Sequence, residues 1–393
     1  MPRRKEIRSP LDAWLLKKEV AEELRKVLGP RRARRVARDP HAKRRPRPCG
    51  MTVHPGHGCS LGCLYCYVPD MGFPAKPRPY HLSGEELAYA LALNPHVVPG
   101  RTLAAFGSVT EPLLPGIVEK TLEYLRAVRE WLSLPCQIST KLVIDEGLAA
   151  ELAKAEPKLS VLISVTTDSK AKVLEPGAPE PGERIAGGGN AVKAGLRVDL
   201  FLRPIIPGIT SEEDIRNLLK LAREHGLKGV VTGSLRLTAS NLRRLRTAGI
   251  ETEYLLELAN LRNPPKKGAQ VPVRTEELKN IVRKEADALG LQYLPAACAA
   301  NMLAHNLNCH LCGWVPCGSS EGITRVNEEG VAEFLNFTLR VRGIELRIEG
   351  GSTPKILVLL RGVNDLGRRP SSLAELSRFL SEFYKVKVLL KLR

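Results

Sequence analysis

The run Cys59-Ser60-Leu61-Gly62-Cys63-Leu64-Tyr65-Cys66 is the stretch around which this 393-residue chain is organised. Its cysteines follow the pattern C-x3-C-x2-C in one short glycine-containing loop, and no fourth cysteine or histidine follows at the spacing of a zinc site. Three thiolates from a single loop suit an iron–sulfur cubane that keeps one iron open to another ligand. A zinc loop completed by a distant ligand is the alternative, because intracellular cysteine clusters often hold structural metal ions.

The composition limits the class of protein. Nine cysteines, seven of them in two groups, are too few and too clustered for a disulfide scaffold, so they indicate metal ligands in a reducing compartment. No apolar run has the length of a membrane span, and the first residues, MPRRKEIRSP, lack the apolar centre of a secretory signal. We therefore expect a soluble, cytoplasmic protein with no membrane partner.

The first 48 residues carry much of the net charge of +18. Residues 10–28 have apolar side chains near helical spacing, and Gly29-Pro30 stops the predicted helix. Residues 31–48 are rich in arginine and poor in apolar residues, which predicts an extended basic arm. Such runs commonly contact nucleic acid, so RNA or DNA is the predicted partner. A solubilising arm, or a chain that is basic and heat-adapted throughout, is the alternative.

From Cys49 onward, short apolar runs alternate with amphipathic stretches. Alternation at this spacing predicts a parallel sheet built from βαβ units. The predicted strands are 51–55, 102–107, 136–141, 159–166, 197–203 and 228–233. The predicted helices are 83–93, 115–131, 143–155, 184–194 and 211–225, with a further helix at 275–290. Ser83 and Ser211, each followed by acidic residues, are the predicted N-caps of two of them.

The cysteine run, with an aromatic residue just before its third cysteine, resembles the signature of the radical S-adenosylmethionine (radical SAM) superfamily. The resemblance implies a [4Fe-4S] cluster on Cys59, Cys63 and Cys66, whose fourth iron binds SAM. Reductive cleavage of SAM would then give methionine and a 5′-deoxyadenosyl radical. It also implies a partial (β/α)6 barrel of the TIM type, with the cluster loop at the carboxyl ends of the strands. An electron donor such as a ferredoxin or flavodoxin is the expected partner.

Five further segments are similar, in order, to motifs of the spore-photoproduct-lyase-like family within this superfamily. Together they extend the resemblance over about residues 49 to 235. The segments are 104–112 (AAFGSVTEP), 138–141 (ISTK), 162–167 (LISVTT), 174–179 (LEPGAP) with Arg184, and 203–208 (RPIIPG).

This narrower resemblance implies roles for individual residues. Tyr65 is expected near the adenine of SAM. Ser139, Lys141 and Ser164 are expected to meet its methionine carboxylate and ribose, since a lysine and hydroxyls supply donors to both groups. Glu111 is the candidate acceptor for the amino group of SAM.

Two additional expectations concern the same region. Glu175 and Arg184 are expected to form a buried ion pair that fixes the loop after the fourth strand. Spore photoproduct lyase places a hydrogen-donating cysteine on the second-strand motif, whereas this chain has Gly107-Ser108 there. A serine O–H bond is too strong for that role. Cys136 is a weak substitute, because a lone cysteine on an apolar strand is usually part of the core.

A second cysteine group follows the predicted helix at 275–290. Cys298, Cys309, Cys312 and Cys317 have the spacing C-x10-C-x2-C-x4-C, which makes a closed set of four thiolates. Such a set suits a second, auxiliary [4Fe-4S] cluster or a structural Zn(Cys)4 site, and we favour the cluster. A nearby histidine, His305 or His310, could replace one thiolate.

The last part of the chain has the pattern of a small α+β module. Predicted strands at 333–341, 344–349 and 355–361 are followed by a helix at 371–384 and a strand at 385–392. Its basic outward positions could contact RNA, but the module could equally complete the core or a dimer.

The sequence therefore predicts an α/β protein in four parts. These are a basic helical N-terminal arm (1–48), a partial barrel (49–262), a helix with the auxiliary metal segment (263–318) and the small α+β module (319–393). The predicted function is a radical SAM enzyme that modifies a nucleic acid, with a tRNA or rRNA nucleoside ahead of a DNA lesion. Two alternatives stay open: a radical SAM enzyme acting on a peptide or small metabolite, and a non-catalytic, metal-stapled nucleic-acid-binding protein.

Overall fold

The computed structural model describes residues 7–46, 50–312, 317, 326–341, 343–349, 355–361 and 373–393. Its strands are β1 (Met51–Val53), β2 (Gly56–His57), β3 (Arg78–Pro79), β4 (Ala104–Phe106), β5 (Cys136–Thr140), β6 (Ser160–Val165), β7 (Arg197–Ile205), β8 (Gly229–Ser234), β9 (Arg236–Leu237), β10 (Val271–Pro272), β11 (Gln292–Leu294), β12 (Gly343–Glu349), β13 (Lys355–Arg361) and β14 (Lys387–Leu392).

The α-helices are α1 (Pro10–Val36), α2 (Gly84–Leu93), α3 (Val118–Leu132), α4 (Glu146–Ala155), α5 (Ala171–Leu174), α6 (Pro181–Lys193), α7 (Glu212–Glu224), α8 (Ala239–Thr247), α9 (Glu253–Leu258), α10 (Glu276–Ala288), α11 (Ala297–Ala304), α12 (Glu328–Leu339) and α13 (Leu373–Tyr384). Two 3-10 helices, Pro40–Ala42 and Pro69–Met71, lie in the connecting segments.

A parallel sheet of seven strands forms the centre of the fold, in the order β1-β4-β5-β6-β7-β8-β11. Every residue of β6 is buried, as expected for a strand covered on both faces. The six predicted strands are confirmed, and helices lie between them as in a radical SAM barrel. The seventh strand, β11, was not predicted, because its three residues, Gln-Tyr-Leu, make no apolar run.

The predicted capping residues begin their helices. The Ser83 hydroxyl accepts a hydrogen bond from the Glu86 amide, and the Ser211 hydroxyl accepts one from the Asp214 amide. In both cases the backbone amide of the cap residue donates a hydrogen bond to the N3 carboxylate, which completes a capping box. The helices α2 and α7 therefore begin one residue after the predicted caps.

The N-terminal segment differs from its prediction. The backbone leaves helical geometry at Gly29, where φ is +70°, but a second helical run begins at Pro30 and continues to Val36. Ala33 and Val36 are buried in the main core, and Arg35 lies 2.6 Å from the Glu86 carboxylate. The prediction of extended chain from residue 31 is therefore wrong over 31–36, because two apolar side chains hold this run against the domain.

The C-terminal module also differs in one element. Residues 333–341, predicted as a strand, belong mostly to helix α12. Val331, Phe334, Leu335 and Leu339 are buried there at helical spacing, so a period of about 3.6 outweighs the short alternation that suggested a strand. The strands β12, β13 and β14 form a separate sheet, as predicted for an α+β unit.

Helix α1 joins this module to the rest of the chain. The ring of Trp14 lies 5.6 Å from that of Phe334 and 5.1 Å from that of Phe379, in edge-on contacts with α12 and α13. Further along the same helix, Val20 and Leu24 are buried in the core of the main sheet. Within the described ranges, no helix is long and apolar enough to cross a membrane.

We predict that Trp14→Ala loosens the C-terminal module. Loss of two aromatic contacts from a partly exposed site should cost about 2 to 3 kcal/mol of the free energy of unfolding. Hydrogen exchange in α12 and α13 should accelerate, while exchange in β6 should change little. Leu15→Ala, on the same helix with a side chain that is 43% exposed, is the matched control. Equal effects of both substitutions would contradict this role for Trp14.

Candidate active site

The carboxyl ends of the parallel strands open onto one cavity of about 360 Å³. Active sites of barrel enzymes are built at this end of the sheet. Residues from successive strands or the loops that follow them line it, namely Thr52, Gly107, Ser108, Ser139, Lys141, Ser164, Arg203 and Ser234.

The cysteine loop lies at the mouth of this cavity, and Cys66 is one of its lining residues. Burial raises the pKa of all three thiols, and for Cys63 it raises the pKa to about 12. The charges of Cys59 and Cys66 also act on Cys63, so the three sulfurs lie within electrostatic reach of one another. The fit to an iron–sulfur cluster rests on the donors: three cysteine sulfurs from one loop match the ligands of such a cluster, whose metal takes the place of the thiol protons.

The Glu175 carboxylate connects the cysteine loop to the sheet. It lies 2.5 Å from the Arg184 guanidinium, which confirms the predicted buried ion pair. The Tyr65 hydroxyl donates a hydrogen bond to it, and the Thr166 hydroxyl donates another at 3.0 Å. Burial alone would raise the pKa of Glu175, but the charges of Lys141 and Arg184 outweigh burial and hold that pKa below its usual range.

Backbone contacts add to this connection. The Leu64 amide donates to the Leu174 carbonyl at 2.9 Å, and the Gly177 amide donates to the Leu61 carbonyl at 3.0 Å. A Cβ at Gly177 would lie 2.9 Å from the Leu61 Cα, so only glycine allows the two segments to approach this closely. The loop after β6 is thus fitted to the cysteine loop.

A second segment holds the cysteine loop from the other side. Residues 236–275, which we call the mouth insert, contain β9, α8, α9 and β10. The Asn241 side chain donates to the Tyr65 carbonyl at 3.0 Å. The Arg244 guanidinium donates to the Leu64 carbonyl at 3.0 Å and also to the Cys66 carbonyl. These contacts were not predicted, because they join residues that lie far apart in the sequence.

The family comparison agrees with this architecture. A family model described as the Radical SAM superfamily matches residues 53–235. This part of the chain is a radical SAM domain. The match begins in β1 and ends just after β8, so it covers the cysteine loop and six of the seven strands of the main sheet.

Individual relatives support the same assignment. A radical SAM Nalpha-GlyT isomerase of Pseudomonas phage M6 is 27% identical over 266 residues, which cover 63% of this chain and 54% of that protein. The chain therefore matches about half the length of this relative. Two structures of mutant spore photoproduct lyase are 15% identical and cover 63% of this chain and 77% of that one, with TM-scores of 0.52 and 0.51. One of them contains bound AdoMet and a dinucleoside spore photoproduct. These structures share the fold, and the enzymes among the relatives support an enzyme whose reaction class is open.

Most residues predicted to contact SAM face the cavity of the radical SAM domain. Tyr65, Ser139, Lys141 and Ser164 all line it. The Lys141 ammonium lies 5.7 Å from the centre of the Tyr65 ring and 3.9 Å from the Glu175 carboxylate. Their roles toward SAM stay predictions, but the structure places the four side chains around one space.

Glu111 lies behind this group. Its carboxylate accepts hydrogen bonds from the Thr140 hydroxyl at 2.6 Å, the Lys141 amide at 2.8 Å and the Leu113 amide at 3.3 Å. Burial raises the pKa of Glu111. These hydrogen bonds fix the carboxyl end of β5, directly before Lys141. A hydrogen bond from the amino group of SAM to Glu111 stays a prediction.

The second-strand motif reaches the cavity through Gly107 and Ser108. Gly107 has φ +95°, and a Cβ there would lie 2.5 Å from the Ser139 carbonyl oxygen. Cys136 points to the opposite face of its strand, is fully buried in the main core and donates to the Leu134 carbonyl at 3.3 Å. It therefore packs as a core residue, away from the residues that line the cavity.

The second cysteine group lies under the cavity floor. Cys309 and Cys317 exchange backbone hydrogen bonds of 2.8 and 2.9 Å and pack with Leu162 and Phe201, which also line the cavity. Cys298 lies at the start of α11. Residues 313–316 and 318–325 are outside the described ranges. In the part of the chain that is described, which includes Cys59, Cys63 and Cys66, no three Cys, His, Asp or Glu side chains converge on a single metal ion. In a [4Fe-4S] cluster each cysteine binds a different iron, so the ligands of the first group need not converge on one point.

The four-cysteine metal site, with Cys312 as its remaining ligand, therefore stays a prediction. The two histidines that could replace a thiolate are also placed. Burial lowers the pKa of His305 to about 4, and its ring lies 3.1 Å from the Asn301 carbonyl. The His310 amide donates to the Lys385 carbonyl at 2.6 Å, which ties this segment to the C-terminal module.

We predict that Glu175→Gln destabilises the domain strongly. It leaves the fully buried Arg184 without a counter-charge, which should cost about 3 to 5 kcal/mol of the free energy of unfolding. Glu151→Gln is the matched control, because Glu151 pairs with Arg126 on the exposed helical layer and should cost less than about 1 kcal/mol. Anaerobic urea unfolding compares the two, and similar losses would show that burial of the Glu175 pair is unimportant.

We further predict that Arg244→Ala weakens retention of the cluster. Loss of the bonds to the Leu64 and Cys66 carbonyls removes outer-shell support, which typically lowers metal affinity by about 10- to 100-fold. Iron release to a chelator should accelerate accordingly. Arg243→Ala changes the exposed neighbour on the same helix and should release iron at the wild-type rate. Equal rates for all three proteins would argue against support of the loop by Arg244.

Proposed function

We propose that this protein uses SAM to start radical chemistry on a nucleic acid. Cys59, Cys63 and Cys66 would hold a [4Fe-4S] cluster, which would pass an electron from an external donor such as a ferredoxin or flavodoxin to SAM and so supply the radical chemistry. The observation that carries the proposal is the charge of the cavity. Among the described residues that line it, every charged side chain is a cation: Lys141, Arg203 and Arg236. Such a space suits anionic ligands.

The protein would position SAM from the ends of two neighbouring strands, β5 and β6. Ser139 lies in β5, Lys141 comes directly after the last residue of that strand, and Ser164 lies near the end of β6. A lysine and two hydroxyls at this edge can hold a carboxylate and a ribose in one orientation. Leu162, Phe201 and Ala297 form the apolar side of the cavity, where they would exclude water from a reactive intermediate.

The charge of the chain and the names of its relatives support a nucleic-acid substrate. The net charge of +18 favours polyanions over small neutral metabolites. One structural relative holds a dinucleoside spore photoproduct, and the phage relative is named for Nalpha-GlyT. Neither name supports the earlier preference for tRNA or rRNA. We therefore propose DNA as the substrate, with RNA as the comparator in the test.

Isotope transfer tests this function. Anaerobically reconstituted, reduced protein is incubated with SAM and with either perdeuterated DNA or perdeuterated RNA, and 5′-deoxyadenosine is analysed by mass spectrometry. Deuterium should enter 5′-deoxyadenosine from DNA, because the radical takes its hydrogen from the substrate. Deuterium from RNA alone would contradict the proposed substrate. Failure to cleave SAM at all would contradict the proposal that the protein is a radical SAM enzyme.

Two variants make the test specific to the first cysteine group. The combined substitutions Cys59→Ala, Cys63→Ala and Cys66→Ala should remove about four irons per chain and the SAM-sensitive EPR signal. Cys136→Ala is the matched control, because Cys136 lies in the core away from the cavity. This variant should keep both its iron and SAM cleavage. Loss of cleavage in both variants would remove the assignment of the cluster to this loop.

A further inference from the structure

Arg203 lies in β7 where the strand pairing is irregular. The register between β7 and β8 shifts between Leu202 and Ile205, so the ladder is interrupted at Arg203-Pro204. Irregularities of this kind often lie beside active sites, where they change the direction of a side chain. Here the affected residue lines the cavity.

The neighbouring strand has a glycine that makes space for this arginine. A Cβ at Gly233 would lie 2.6 Å from the Arg203 Cδ and 2.8 Å from its Cγ, so a larger residue would displace the stem. The guanidinium lies 5.4 Å from the centre of the Phe201 ring, within the range of a cation–π contact. Gly233 on one side and the Phe201 ring on the other therefore determine the position of the Arg203 side chain.

Among the described residues, no carboxylate forms an ion pair with the Arg203 guanidinium. Arg197, on the same strand, lies 2.9 Å from the Asp199 carboxylate, whereas no ion pair or hydrogen bond of Arg203 occurs among the described residues. Burial lowers the pKa of Arg203, and the charge of Arg236 lowers it further against an opposing effect of Tyr67. A desolvated cation beside a second cation is costly unless a ligand supplies the negative charge.

We propose that Arg203 and Arg236 bind a backbone phosphate of the nucleic-acid substrate at the cavity mouth. The inference rests on the proposed function and names the two side chains that would hold the nucleic-acid backbone. Two guanidinium groups match the oxygens of a phosphate, to which each can donate in a fork. The base would then enter the cavity while its phosphate stays at the rim.

Two observations favour a polymer over the carboxylate of SAM. The donors proposed for the carboxylate and ribose of SAM, Ser139, Lys141 and Ser164, lie at the ends of β5 and β6, so Lys141 already offers a cation there. Arg236 is exposed and begins the mouth insert, so an anion that touches both arginines reaches from the cavity to solvent. The mouth insert has eight arginines and lysines against three glutamates, which continues the positive charge away from the rim.

Binding of defined oligonucleotides tests the site. The probe is a fluorescein-labelled single-stranded DNA 20-mer, measured by anisotropy with reconstituted holoenzyme over a range of salt concentrations. Arg203→Gln and Arg236→Gln should each weaken binding about tenfold and reduce the slope of log affinity against log salt by about 1. Arg223→Gln, on the outer face of α7, removes one exposed charge and should bind within about twofold of wild type.

Two further measurements keep the test decisive. Gly233→Ala retains every charge but displaces the Arg203 stem, so it should also weaken binding. A 20-mer with a neutral methylphosphonate backbone should bind wild type and both arginine variants alike. Iron per chain reports correct folding, and Arg236→Gln, at an exposed site, gives a result even where Arg203→Gln does not fold.

The outcomes separate this inference from the function on which it rests. If wild type binds the charged 20-mer and both arginine variants bind it equally well, the phosphate site is wrong while the proposed function stands. If wild type cleaves SAM but binds no oligonucleotide, the nucleic-acid function fails and the site fails with it. If Arg203→Gln instead loses affinity for SAM in calorimetry, the arginine contacts SAM and the inference is overturned.

Discussion

The buried carboxylate of Glu175 is the group on which the arrangement of this site depends. It receives the Arg184 guanidinium from α6, the Thr166 hydroxyl from the end of β6 and the Tyr65 hydroxyl from the cysteine loop. A buried carboxylate needs a counter-charge and hydrogen-bond donors, and here the counter-charge comes from α6 while the donors come from the sheet and the cysteine loop. The same contacts that satisfy it also set the position of the cysteine loop relative to the strands.

Beyond this network the site has a simple electrostatic plan. The acidic groups, Glu111 and Glu175, are used within the protein, where amides, hydroxyls and an arginine surround them. Of the cations that line the cavity, Lys141 lies 3.9 Å from Glu175, whereas Arg203 and Arg236 form no ion pair among the described residues. An iron–sulfur cluster with thiolate ligands, the carboxylate of SAM and a phosphate are all negative, so one positive cavity can gather all three.

Short-range sequence patterns predicted the features that depend on neighbouring residues. The spacing of Cys59, Cys63 and Cys66, the six buried strands and the caps Ser83 and Ser211 could be predicted from short windows of sequence. The prediction failed in the helical run after Gly29, where Ala33 and Val36 pack on the domain, and in α12, where a short alternation was given more weight than the helical spacing of the apolar side chains. The fit of Arg203 against Gly233, and of Arg244 against the cysteine loop, joins distant residues, so no window of sequence contains either.

The cysteine loop precedes both of its supports in the chain by a long interval. Tyr65 and Glu175 are 110 residues apart, and Leu64 and Arg244 are 180 residues apart. During synthesis the three thiols therefore leave the ribosome long before the segments that cover them. A cluster inserted during this interval would meet a loop that lacks its contacts with Glu175 and with the mouth insert. The order of the chain thus sets the order in which the cluster ligands and the segments that cover them are made.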